Sequence, residues 1–128
     1  MTRQNISSGG PWEEVVGYSR AVRIGNTVAV AGTTATNADG SVHGEGDMYE
    51  QARRCFEVIQ GALEEAGATL ADVIRIRMFV TDISRWEEAG RAHGEFFRAV
   101  KPASTMVEVS RLIDPRHLIE VEADAVIA

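Results

Sequence analysis

One cysteine, Cys55, is all the chain contains, so neither an intrachain disulfide nor a cysteine-cluster metal site can form, and that usage fits a reducing compartment. No apolar run approaches the ~18 residues that a membrane span requires, and the opening M-T-R-Q-N-I-S-S-G-G-P lacks the apolar segment of a signal peptide. A soluble cytoplasmic protein with no membrane partner is therefore expected. Basic charge is also scarce. Thirteen Lys and Arg residues stand against nineteen Asp and Glu, a formal net charge of -6, with no basic patch to neutralise phosphates, so no nucleic-acid partner is expected. Of three histidines, His43 and His117 fall in loops without ligand-like spacing, and no metal site is expected.

What is present is a single domain spanning residues 1–128, 45% hydrophobic, long enough to hide roughly two thirds of the surface its unfolded chain exposes. The last third organises it. Pro102 to Leu112 and Leu118 to Ile127 both alternate apolar with polar residues, with Asp114-Pro115 breaking the pattern, which predicts two strands joined by a turn. On the second, Ile119, Val121, Ala123, Ala125 and Ile127 share one face and Glu120, Glu122 and Asp124 the other. On the first, Ser104, Met106, Glu108 and Ser110 share a face and Thr105, Val107 and Val109 its reverse. This pair of strands is expected to frame any site.

Upstream, the first dozen residues read as a loose arm broken by Gly9, Gly10 and Pro11. Tyr18–Ile24 and Thr27–Ala31 read as a hairpin around Gly25-Asn26, and a long polar loop with Asp39-Gly40 at its turn follows. Asp47 is placed to cap a helix to about Ala66, with Gly67 as its stop and Ala52, Cys55, Phe56, Ile59, Ala62, Leu63 and Ala66 on one stripe. Cys55 on that stripe reads as a packed thiol rather than a nucleophile. Val73–Val80 reads as a strand with Ile74, Ile76, Met78 and Val80 pointing one way and Arg75 and Arg77 the other. Ser84 and Glu87 form a capping-box pattern opening a second helix, striped by Trp86, Ala89, His93, Phe96, Phe97 and Val100 and ended by Pro102. His93 reads as a satisfied core or interface histidine rather than a base.

The order is β-β-α-β-α-β-β, an α+β fold with two helices on one face of a mixed sheet. Neither sheet face is wholly polar, so the second needs a cover, and self-association through the sheet supplies one economically.

Y-S-R-A-V-R-I-G-N-T-V-A-V-A-G, E-E-A-G-A-T-L-A-D-V, F-V-T-D-I, P-A-S-T-M-V-E-V-S-R-L and I-E-V-E-A-D-A-V together resemble the RidA/YjgF (reactive intermediate deaminase) family, also described as endoribonuclease L-PSP, from about Tyr18 to Val126. The resemblance implies a chorismate-mutase-like subunit, a homotrimer whose sheets face inward, and clefts between subunits. It implies cofactor-independent hydrolysis of short-lived imines and enamines to a 2-oxo acid and ammonia. It places the family's water-handling glutamate on Glu120, its cleft tyrosine on Tyr18 and its ligand-facing glycine on Gly32.

The carboxylate anchor is where the chain departs. The family pattern P-A-R-[ST] has an arginine where Ser104 stands, and losing that charged hydrogen bond, ~1.5 to 3 kcal/mol, weakens carboxylate binding roughly ten- to a hundredfold. Arg20, where the family often has glutamine, is a possible replacement. Arg111 reads as a structural or interface charge with the same chemistry. Gly90, where asparagine is frequent, and Met106, where a cysteine or small residue is frequent, further alter the pocket. The expectation is a hydrolase of a non-standard imine, enamine or related small metabolite. The alternatives are a trimeric small-ligand-binding protein without chemistry and, against the acidic balance, a ribonuclease or translation inhibitor.

Overall fold

In the computed structural model, which describes residues 1–128, nine regular elements follow one another: β1 (Arg3–Ile6), α1 (Pro11–Val16), β2 (Ala21–Ile24), β3 (Thr27–Thr33), α2 (Met48–Glu65), β4 (Val73–Val80), α3 (Trp86–Phe97), β5 (Ala103–Glu108) and β6 (Ile119–Val126). The strands form one sheet in the order β1-β2-β3-β6-β4-β5. All neighbours are antiparallel except β4 and β5. The fold is α+β with a mixed sheet, as expected, with one strand and one helix more than the sequence pattern indicates.

Period-2 patterning places the core. In β6, Ile119, Val121, Ala123 and Ala125 are buried under α2 while Glu120, Glu122 and Asp124 line the opposite, open face. α2 starts where the Asp47 carboxylate accepts the Glu50 N–H at 3.0 Å and stops before Gly67, which takes φ 85°. Its buried stripe meets α3 at Phe56, whose ring centroid lies 5.4 Å from those of Phe96 and Phe97. Cys55 is fully buried there, and burial pushes its thiol up, so it packs and does not react. The β2–β3 hairpin turns at Gly25, φ 58°.

Four expectations are corrected. The N-terminal arm is not loose: β1 pairs with β2, and α1 follows, opened by Pro11 and tied down by Glu13, whose carboxylate accepts the Ser7 hydroxyl at 2.9 Å, the Ser8 N–H at 3.1 Å and the Ser8 hydroxyl. The last two strands do not form a hairpin, because β4 lies between them and pairs with both. In β4, a register shift between Val73 and Arg75 leaves Ile74 as the extra residue, so Val73 takes the core position and Ile74 is exposed. Finally, the capping box at Ser84 and Glu87 does not form. Asp82, two residues earlier, accepts from the Ser84 N–H at 3.0 Å and the Ser84 hydroxyl at 2.6 Å, and Trp86 at the start of α3 faces water.

One buried polar side chain closes the loop before β6. Gln51 donates to the Arg116 carbonyl at 2.9 Å and the Gly44 carbonyl at 3.3 Å and accepts the Leu118 N–H at 2.8 Å. Gln51→Leu leaves the Arg116 carbonyl and the Leu118 N–H unpaired, while the Gly44 carbonyl keeps the Asp47 N–H, and is expected to cost about 1–3 kcal/mol in denaturant unfolding. A change under about 0.5 kcal/mol, the range of surface substitutions, would show that the loop does not depend on it.

Candidate functional site

The open face of the sheet is shaped by an irregularity in β3. Its pairing with β6 shifts between Val30 and Thr33, so Ala31 and Gly32 together oppose a single residue. Both carbonyls accept from side chains. The Thr33 hydroxyl donates to the Ala31 carbonyl at 2.8 Å, and the Arg20 guanidinium donates to the Gly32 carbonyl at 2.8 Å. Arg20 also lies over the Tyr18 ring, 5.8 Å from its centroid, and its Nε is buried without a partner. At Gly32 an added Cβ would meet the Glu120 carboxylate and displace it, so the glycine leaves room for that carboxyl and is not there for an unusual φ. Tyr18, Arg20, Gly32 and Glu120 therefore form one locality.

Charge singles out Glu120 within it. Arg77 sits 3.2 Å from both Glu122 and Asp124, and Arg75 lies 4.0 Å from Asp124. Glu120 alone of the three β6 acids has no ion pair or hydrogen bond. It is half-buried, and that burial raises its proton affinity above the ordinary carboxylate range, partly offset by the nearby charge of Arg20.

Ser104 and Met106 lie elsewhere. Ser104 pairs with Ile76 and Met106 with Met78, both core-facing, which puts them on the helix side of β5. Glu120 pairs with Phe79 on the open side. Met106 packs against the core edge and Ser104 is exposed. Ser104 Oγ lies 2.7 Å from His93 Nε2 of α3. Gly90 lies one turn before His93, its Cα turned toward Trp86. Arg111 is exposed in the loop after β5 with no polar partner. Tyr18, Arg20, Gly32 and Glu120 thus form one locality, Ser104 and Met106 lie on the opposite face of the sheet, and Arg111 joins neither.

His93 is the residue that sequence reasoning placed only in packing. Its ring does pack, 5.8 Å from Phe56 and 5.1 Å from Phe97, and burial pushes its pKa down. The contact with Ser104 joins a helix to a strand eleven residues on, and no local spacing rule reports it. The Glu13 tether of α1, by contrast, had a signal: Pro11 followed by Glu13 and Glu14 is a helix start.

Residues 12–127 match the family model described as Endoribonuclease L-PSP. The crystal structure of Rv2704 from Mycobacterium tuberculosis, described as a member of the highly conserved YjgF/YER057c/UK114 family, is similar with a TM-score of 0.90 and 49% identity, covering 98% of this chain and 100% of that one. A RutC family protein of Pyrococcus abyssi is 39% identical over 109 residues, 84% of each chain. A 2-iminobutanoate/2-iminopropanoate deaminase of Dermatophagoides farinae is 29% identical over 111 residues, 86% of this chain and 85% of that one.

The raised proton affinity of Glu120 has a consequence for stability. As pH rises past 4.5, the unfolded chain releases this proton before the folded one does, so stability falls until the folded carboxyl has also ionised. Glu120→Gln removes the effect. The melting temperature of the variant minus that of the parent is expected to grow between about pH 4 and pH 7. A flat or shrinking difference would show Glu120 to be freely hydrated.

Proposed function

The chain belongs to the RidA/YjgF family, and from that premise we propose that it is a cofactor-independent hydrolase of a small imine or enamine, with Glu120 moving the protons. The observation that carries this reading is the unpaired, half-buried carboxyl of Glu120, the one acid of its face not held by an arginine. The name of the Dermatophagoides farinae relative gives the reaction class.

Hydrolysis of C=N requires water to add at carbon, a proton to reach nitrogen, and ammonia to leave as the carbonyl forms. Glu120 as carboxylate takes a proton from the attacking water and returns it to nitrogen. A carboxyl with raised proton affinity suits both halves, because general acid–base catalysis works best when the group exchanges protons near the working pH. Tyr18 and Arg20 provide a polar wall beside it, and the close approach at Gly32 sets where the carboxyl points.

The reading includes a homotrimer with clefts between subunits, where the Glu120 locality of one copy meets the Ser104 edge of the next. Two features support it: the two localities lie on opposite faces of one chain, and the open face exposes Val107 and Val126, each more than two fifths exposed, among its charges. A second reading, a ligand-binding protein of the same assembly without chemistry, is favoured by one observation: no cation touches Ser104, where the family's arginine would grip a carboxylate.

Ammonia release from enzymatically generated 2-aminoacrylate separates the readings. Glu120→Gln is expected to lower turnover at least about a hundredfold, the scale of general acid–base catalysis. Ser104→Arg is expected to raise it on this carboxylate substrate by roughly ten- to a hundredfold. Unchanged turnover in Glu120→Gln would end the mechanism. Ligands that stabilise the protein yet yield no product from any imine would favour the second reading.

A further inference from the structure

Ser104 has one hydroxyl proton and two neighbours competing for it. His93 Nε2 lies 2.7 Å from its Oγ, and the Pro102 carbonyl lies 3.2 Å away. With His93 protonated on Nδ1 alone, Oγ–H donates to Nε2. With a proton on Nε2, in the other tautomer or in the imidazolium, that N–H donates to Oγ, and the hydroxyl proton turns to the Pro102 carbonyl. In every protonation state the hydroxyl proton is used internally. What Ser104 presents to a ligand is a lone pair.

From this geometry we propose that the Ser104–His93 pair accepts a hydrogen bond from the ligand, and so selects a carboxamide or hydroxyl end where relatives with arginine select a carboxylate. The inference rests on the cleft reading above and names the substrate class it takes: an uncharged imine or carbonyl compound with an N–H or O–H donor next to the reacting carbon. A guanidinium offers only donors, whereas this pair offers an acceptor, so the polarity of the position is inverted. A carboxylate, itself only an acceptor, meets lone pair against lone pair. Within the chain no cation stands beside Ser104: Arg75 and Arg77 are engaged with Asp124 and Glu122, and Arg20 is held at the Gly32 carbonyl and the Tyr18 ring. The acceptor is also held in place. The imidazole is wedged between Phe56 and Phe97, at 5.8 and 5.1 Å, so with His93 protonated on Nδ1 alone, releasing the serine proton toward a ligand breaks a contact that the aromatic packing maintains, and in the other states it breaks the bond to the Pro102 carbonyl.

The test is a titration followed by NMR with two probes that share a carbon skeleton, 2-oxopropanamide and 2-oxopropanoate. The unsubstituted protein is expected to bind the amide roughly fivefold more tightly, the worth of one neutral hydrogen bond. Ser104→Ala is expected to bring the ratio to about one, Ser104→Thr to retain it because the hydroxyl stays, and Ser104→Arg to reverse it. His93→Phe, which keeps the packing and removes the nitrogen, is expected to narrow the preference. Equal or tighter binding of the acid by the unsubstituted protein, an unchanged ratio in Ser104→Ala, or binding of neither probe would overturn the proposal. Because the titration needs no turnover, loss of the Glu120 mechanism leaves these ratios standing, and a clear amide preference without ammonia release from any imine removes only the hydrolase reading.

Discussion

The close approach of the Glu120 carboxylate to the Cα of Gly32 is the constraint around which the open face is arranged. It sits where β3 gains a residue against β6, and two side chains donate to the carbonyls of that irregularity. One of those is Arg20. The bulge therefore does two things with one irregularity: it clears room for an acid and brings a cation near it. The cation stops short of an ion pair, so the acid keeps a raised proton affinity. A guanidinium within contact distance would have done the opposite, holding the carboxyl ionised and useless as a proton donor.

The remaining charges of that face reinforce the distinction. Arg77 bridges Glu122 and Asp124, and Arg75 joins the second of them. Such half-exposed pairs add little to stability, about 0 to 1 kcal/mol. Their effect is positional: they tie two of the three β6 acids to the sheet. The alternation that built β6 supplies three equivalent carboxylates, and the arginines of β4, one strand away, make them inequivalent.

Much of this was legible beforehand. The alternation in β6, the Asp47 cap, the Gly67 stop and the buried stripe of α2 are local signals, and each held because burial and capping act over a few residues. The strand Arg3–Ile6 was not legible, since R-Q-N-I buries only Ile6 and is held by backbone pairing to β2, which leaves no mark on side-chain pattern. Nor was the separation of β5 from β6. Two alternating segments joined by a short turn read as neighbours, yet the parallel pairing of β5 with β4, across α3, lets β6 enter on β4's other side. The placing of Glu120 was readable to its face but not to its freedom from ion pairing, which depends on where the arginines of β4 fall in register. His93 was read as packing. Its second role needed the three-dimensional contact.

That strand order also determines how the proposed site can vary. Ser104 pairs with Ile76 and Glu120 with Phe79, β4 residues that point to opposite faces, so the residue at 104 and the acid at 120 occupy opposite faces and share no hydrogen-bond partner. Substitutions of sites without shared partners act nearly independently. A change at 104 can therefore alter which end of a ligand is recognised without disturbing the proton affinity of Glu120, and the bulge at Gly32 can hold that acid without dictating the ligand. In the proposed assembly the two functions meet only when one copy's edge is brought to another copy's open face. Recognition and chemistry then become separate surfaces of one small sheet, and a serine backed by histidine at the recognition surface marks a change of ligand polarity with the proton-handling face left intact.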